Sequence, residues 1–194
     1  MFIKKALLAL GLVTLVGCSA SPIQYDLTAE DTLIVVKSER NIPNIQVGEF
    51  KYEPHIKISQ YTMSVFGCIP CQSDGSTAGL TYTKPINEIV KSETKIALDE
   101  IVLPSKNSSC SLDATIHLAA RDNLVGSEII DLSYMLVKDD EIKFIKRIRS
   151  EYDKGLLFQS WLRRSLANTS RQALGELVTN TAFLEVVEQS CSSS

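Results

Sequence analysis

Histidine, tryptophan and methionine are scarce in this sequence, at two, one and three residues among 194. The two imidazoles, His55 and His117, lie far apart in the chain. No H-E-x-x-H, G-x-S-x-G, P-loop or G-x-G-x-x-G stretch accompanies them, so the motif-borne hydrolase, nucleotide and metalloprotease chemistries are not expected. Basic charge is not in excess either. The formal net charge is −3, which argues against a general nucleic-acid binder. No apolar run reaches the roughly 20 residues that a membrane-crossing helix needs. There is no internal repeat.

The longest apolar run, Ala6 to Val16, follows Lys4 and Lys5 and ends in Leu15-Val16-Gly17-Cys18. A charged start and a short apolar core describe a signal peptide rather than a spanning helix. The ending resembles the bacterial lipobox, whose cysteine is lipidated and becomes the new N-terminus. The resemblance implies that residues 1–17 are removed, that Cys18 carries the lipid, and that 18–30, with Pro22 and no periodicity, is a tether. Two or more acyl chains are enough for stable anchoring. Ser19 follows the cysteine where lipoproteins retained in the inner membrane usually have Asp. The implied place is therefore the outer membrane, with the body in the periplasm. Residues 31–190 fit one domain. Without residues 1–17 the chain has 18 basic and 23 acidic residues, a net charge near −5.

Four cysteines remain: Cys68, Cys71, Cys110 and Cys191. An even count in an oxidising compartment implies two disulfides, and spacing leaves three pairings open. Cys68 and Cys71 form a Cys-x-x-Cys. As half a zinc site it would need Cys110, Cys191 or His117 to complete it, and disulfides compete there. As a thioredoxin-like pair it would need a helix N-terminus beside it, but the first predicted helix starts near Pro85. No metal and no cofactor are expected.

The pattern of elements is segregated. The run 32–38 reads as a strand, and 45–66 as one or two strands bent near Pro54. His55 and His117 both fall on predicted strands, where polar-face roles are expected. Residues 84–102 form a helix with Ile86, Ile89, Val90, Ala97 and Ile101 on one stripe. In 110–120, Leu112, Ala114, Ile116, Leu118 and Ala120 alternate with Asp113, Thr115 and His117. Residues 127–137 and 142–152 read as further strands joined by a tight turn at 138–141. From 159 to 180 the period is helical again, and a short helix follows through Val187. Strands, helix, three-strand meander and helix make an α+β fold, expected here as an antiparallel sheet with two main helices on one face. Following chain direction through these elements brings Cys191 near Cys110 and leaves Cys68 and Cys71 to pair locally.

The strand "VGEF" (Val47 to Phe50), the helix "INEIVKSETKIALDEI", the strand hairpin and the C-terminal "LVTNTAFLEVV" (177–187) resemble a group of small, uncharacterised bacterial lipoproteins. Those carry a "VGPF" strand, an "AL..EL" helix and an "L..D..F..AL" ending. This chain departs from them at Asn180, where Asp is frequent, and in lacking Ala-Gly after the first helix. More distantly, the element order is similar to that of auxiliary lipoproteins of ABC-type transporters and of lipopolysaccharide assembly. The resemblance brings no catalytic residues.

The sequence therefore leads to a non-catalytic lipoprotein that binds a protein of the cell envelope. Lys143, Arg147 and Arg149, on one face of a strand, and Trp161 are the candidate contact residues, with Lys146, Arg163 and Arg164 nearby. An auxiliary role in envelope lipid or glycolipid transport is the alternative, and a thiol oxidoreductase the next.

Overall fold

The computed structural model describes residues 22–25, 34–38, 40, 42–43, 45–55, 58–66, 79–102, 109–122, 126–153 and 162–191. Cys18, Cys68, Cys71 and Trp161 lie outside them, so the expectations placed on those residues stay expectations. The strands are β1 (Gln46–Tyr52), β2 (Thr62–Phe66), β3 (Gly79–Thr81), β4 (Cys110–Asp122), β5 (Ser127–Lys138) and β6 (Glu141–Asp153). The helices are α1 (Ile86–Asp99), α2 (Leu162–Val178) and α3 (Thr181–Cys191).

The class is α+β, but the sheet is mixed rather than antiparallel. Its order is β3-β2-β4-β5-β6, with β1 also on β4. Both β1 and β2 run parallel to β4, β1 against its first half (Gln46 opposite Ser111) and β2 against its second (Ser64 opposite Ala120). They act as one long strand interrupted at 53–61, close to the bend expected at Pro54. The alternation of this stretch carried no information on direction. What makes the pairing parallel is α1, which returns the chain to the starting end of the sheet before β4 begins.

The meander follows its pattern closely. β4, β5 and β6 pair antiparallel along nearly their whole lengths. The β5–β6 turn places Asp139 and Asp140 at φ 51° and 61°, as a type I′ hairpin requires, and Asp tolerates that region. One register detail departs from the expected alternation. In β4, His117 has no partner between the pairs Ile116–Leu132 and Leu118–Asp131. This bulge shifts the phase by one residue, so Leu118 turns to the outer face and Ala119 takes its place in the core.

The core lies between the sheet and the helices. Leu112, Ala114, Ile116, Leu132, Tyr134 and Leu136 are fully or almost fully buried against Ile86, Ile89, Val90, Leu174, Leu177 and Phe183. Phe144 of β6 meets Phe183 of α3 edge to face. Pro85 sits just before the first turn of α1, and its carbonyl accepts from the N–H of Ile89. Asn180 caps α3, accepting from the Phe183 N–H at 3.0 Å. Asn and Asp serve that position about equally, which explains why the departure from Asp is harmless. The disulfide Cys110–Cys191 ties the start of β4 to the end of α3, as chain direction implied. Lys138, opposite Cys110, adds a hydrogen bond to the Ser190 carbonyl.

Gly48 of the VGEF strand has a physical reason. A Cβ there would come within 1.9 Å of the Asp113 carboxylate, which itself accepts from the Ser111 hydroxyl and the Glu49 N–H. The register of β1 shifts at this place, between Val47 and Phe50.

The N-terminal segments depart most from expectation. Residues 34–38 form no strand. The Ile34 N–H donates to the Asn168 side chain, and its carbonyl accepts from Arg171. With the polar groups of Ile34 taken by α2, the β-branched run lies along a helix instead of joining a ladder. Ile23–Tyr25, expected as tether, are docked on the domain. Ile23 pairs with Tyr82 in a parallel bridge, giving its N–H to the Thr81 carbonyl at 2.7 Å and accepting from the Thr83 N–H at 3.0 Å. Tyr25 donates to Glu93, which is paired with Arg171 at 2.8 Å in the helix layer. Burial, then the bond to Glu93, holds the Tyr25 phenol protonated far above its usual range.

Candidate functional site

The helices cover one face of the sheet. The other face of β4–β6 carries most of the polar residues on which the sequence reading turned. On β6 the positions alternate: Phe144, Ile148 and Ser150 pair with core-facing residues of β5, while Ile145, Arg147 and Arg149 point outward. Arg147 and Arg149 therefore share a face as expected. Lys143 does not belong to that row. It is the unpaired residue of a second register shift, between Ile142 and Phe144, and it ion-pairs with Glu141. Arg147 is engaged by Asp131 across the strands, Nε to Oδ1 at 2.7 Å and Nη2 to Oδ2 at 2.8 Å. That bidentate bond holds the Asp131 carboxyl below the usual carboxylate range.

Beside this pair stand the two histidines. His55 is not on a strand but at a bend in the break between β1 and β2. Its ring stacks on that of His117, 5.7 Å between centroids and 6° from parallel. The bulge aims His117 across β5, where its Nε2 and the Ser133 hydroxyl share a hydrogen bond of 2.9 Å. Partial burial, then the nearby Arg147 cation, holds the His117 pKa below its ordinary value, so the ring is neutral at pH 7. A serine beside a neutral imidazole has the composition of a nucleophile and its base. The third member of such a set would be Asp131, but both of its oxygens are engaged by Arg147. The cluster is a polar, hydrogen-bonded patch on the outer face of the sheet. Among the described residues no group of three His, Cys, Asp or Glu is placed to hold a metal.

Toward the hairpin this face turns apolar. Ile142 and Ile145 are 54% and 60% exposed, beside half-buried Met135 and Val137. Sequence reasoning fixed on the cations of β6 and passed over these isoleucines. The available signal was that the strand carries apolar residues at both parities, Ile142, Phe144, Ile145 and Ile148. β6 is also the last strand in the sheet, so one side of its backbone has no ladder partner among the described residues.

A second polar centre lies inside. Glu128 of β5 faces the core, where the Tyr82 hydroxyl contacts its Oε1 at 3.4 Å and its Oε2 has no hydrogen-bond partner. Burial raises its pKa to about 8, against the opposing pull of Arg121 and Tyr82. Neither Glu128 nor Tyr82 stood out in the sequence, since nothing local marks a carboxylate whose burial comes from tertiary packing.

No protein-family model matches the chain. No curated protein matches it by sequence either. Among solved structures it is similar to a Xanthomonas campestris protein of the family DUF330, with a TM-score of 0.57 and 13% identity over 88% of this chain and 98% of that one. It is also similar to an uncharacterised protein, with a TM-score of 0.50 and 10% identity over 81% of this chain and 97% of the other. At such identities the likeness establishes a shared fold across nearly the whole of those chains, and the reading of function rests on this chain's own residues.

Proposed function

We propose that this protein is a non-catalytic, lipid-anchored envelope protein that binds a protein partner through the open face and edge of β6. The observation that carries the reading is the character of β6. It is a 13-residue edge strand with Ile142 and Ile145 more than half exposed and Arg147 and Arg149 beside them. Soluble sheets normally blunt such an edge, and one left long and apolar is a template for strand addition or side-chain docking. Arginine is also among the residues enriched at interfaces. The anchor follows from the lipobox-like Cys18, and the outer membrane from Ser19. No helix among the described residues is long and apolar enough to cross a bilayer. The auxiliary lipid-transport alternative is less well supported, because large side chains such as Tyr82, Tyr134 and Phe183 fill the space between sheet and helices.

The test is photo-crosslinking from position 145 in intact envelopes. The proposal expects a discrete adduct that disappears in an Arg149→Glu background and is absent from a probe at Lys95, on the outside of α1. Adducts of equal yield at both positions, or none above a lipidated control, would refute it.

A further inference from the structure

The geometry points to a fixed orientation of the domain on the bilayer, with the β3 corner against the lipid headgroups and β6 held away from them. This inference rests on the proposed lipid at Cys18 and adds to it the surface that meets the membrane. The argument starts from the docked residues. Ile23 is held in place by two backbone hydrogen bonds to Thr81 and Thr83, and Tyr25 by Glu93 in the helix layer. The first described contact with the domain is therefore at Ile23, before residue 30, where the tether is expected to end. Four residues lie between Cys18 and Ile23, which makes five Cα-to-Cα steps. At about 3.6 Å per residue when fully extended, their Cα atoms lie no more than about 18 Å apart. A domain of this size is roughly 40 Å across. It cannot turn its far side to a membrane from so short a leash.

What surrounds Ile23 suits a headgroup layer. The corner exposes Gln24, Thr83, Lys84 and Tyr61. The Lys84 ammonium lies 5.8 Å from the Tyr25 ring centroid, and Tyr61, 38% exposed, gives its carbonyl to the Tyr82 N–H. Tyrosine and lysine are the side chains that settle at the membrane–water boundary. An acid, Glu88, is exposed in the first turn of α1 four residues after Lys84, so the corner carries charges of both signs. The anchor, not a basic patch, thus supplies the attraction, and the occupant is the bilayer surface itself. On the other side, the path from Ile23 through β3, β2, β4 and β5 to β6 is five strand spacings. At about 4.8 Å each this is roughly 24 Å. With the β3 corner on the lipid, the edge with Ile142 and Ile145 can stand up to that far from the bilayer, where a partner can reach it.

The experiment uses the full lipidated protein in vesicles of phosphatidylethanolamine and phosphatidylglycerol doped with a nitroxide-headgroup lipid. A fluorescent amino acid is placed at Tyr61, at Thr83 or at Arg149 in separate variants. Quenching several-fold stronger at 61 and 83 than at 149 is expected. A flexible insert of about 20 Gly and Ser residues after Ser19 should abolish that difference. Equal quenching at all three sites, or stronger quenching at 149, would overturn the orientation. Flotation with the vesicles and the mass of the N-terminal peptide are read on the same sample. Protein that floats yet shows no difference refutes the orientation alone, whereas an unacylated Cys18 refutes the anchor and the orientation with it.

Discussion

The two sides of this sheet are finished in opposite ways. On the side of β1, β2 and β3, the described segments are tied down by pairings and buried contacts. Ile23 pairs outside β3, the β1 register shifts at Gly48, and Tyr25 reaches over to the Glu93–Arg171 pair. On the side of β6, a strand of almost twice the length of β1 runs out with isoleucines uncovered. Covering an edge protects a monomer against unwanted pairing, so the exposed apolar stretch of β6 is where the proposed binding can be tested. The comparison predicts that substitutions on the closed side act on stability and those on the open side act on binding.

The largest effect should come from breaking the buried ion pair on the closed side. The Arg171 and Glu93 side chains are 4% and 2% exposed. Arg171→Met leaves the Glu93 carboxylate buried without its cation, at a cost of about 3–5 kcal/mol, measured by guanidinium unfolding. Adding Glu93→Leu should restore much of the loss, because two apolar residues satisfy a dry site better than one unpaired charge. No recovery in the double variant would mean that Arg171 acts chiefly through the Ile34 carbonyl.

Next is a pH effect at Glu128, beneath Tyr82. Its folded pKa of about 8 stands above the ordinary carboxylate value of 4.5. The folded state therefore holds its proton longer than the unfolded chain. The stability contribution is whole below pH 4.5 and is lost as pH rises toward 8. Between pH 5 and 7.5 the loss attributable to this group is about 3 kcal/mol. Glu128→Gln should flatten the profile by that amount, read from urea unfolding across the range. A profile equally steep in both proteins would place the dependence elsewhere.

A smaller effect is expected at Gly48. Ala at that position pushes against an Asp113 carboxylate held by Ser111 and Glu49. Gly48→Ala should cost about 1–2 kcal/mol, and Asp113→Ala in the same chain should relieve part of it, since the two sites touch.

The same contrast governs what the sequence made legible. The open side and the meander were readable because their signals are local. Alternation marked most of β4, strand-length apolar runs marked β5 and β6, and two aspartates marked the turn at φ 51° and 61°. The apolar stripe marked α1, and directions traced through these elements paired Cys110 with Cys191. The closed side depends on contacts between residues far apart in sequence. The strand expected at 32–38 was lost to Asn168 and Arg171, more than 130 residues away. Nothing in the β1 and β2 stretches announced that they would pair parallel, or that Ile23 would leave the tether. That Arg147 and Arg149 share one face of β6 was legible in the alternation, and that Lys143 leaves that row was not. The partners that define their setting, Asp131, Ser133 and the His55–His117 stack, come together only through register and a one-residue bulge.

The smallest stability effect should come from the open edge, and it is the one that separates the two sides. Ile145 is 60% exposed and opposes half-buried Met135 across the outer face. Replacing it with Glu removes little buried area and creates no buried charge, so the unfolding midpoint should correspond to a change within about 0.5 kcal/mol. A glutamate there also stands near Arg147 and Arg149, which offsets part of any loss of β-propensity. If β6 serves a partner, the same variant should lose most of the crosslinked adduct while remaining folded and vesicle-bound. Were Ile145→Glu to destabilise the protein as much as Gly48→Ala does, the isoleucine would be covered in the native chain. The division between a closed and an open edge would then fail.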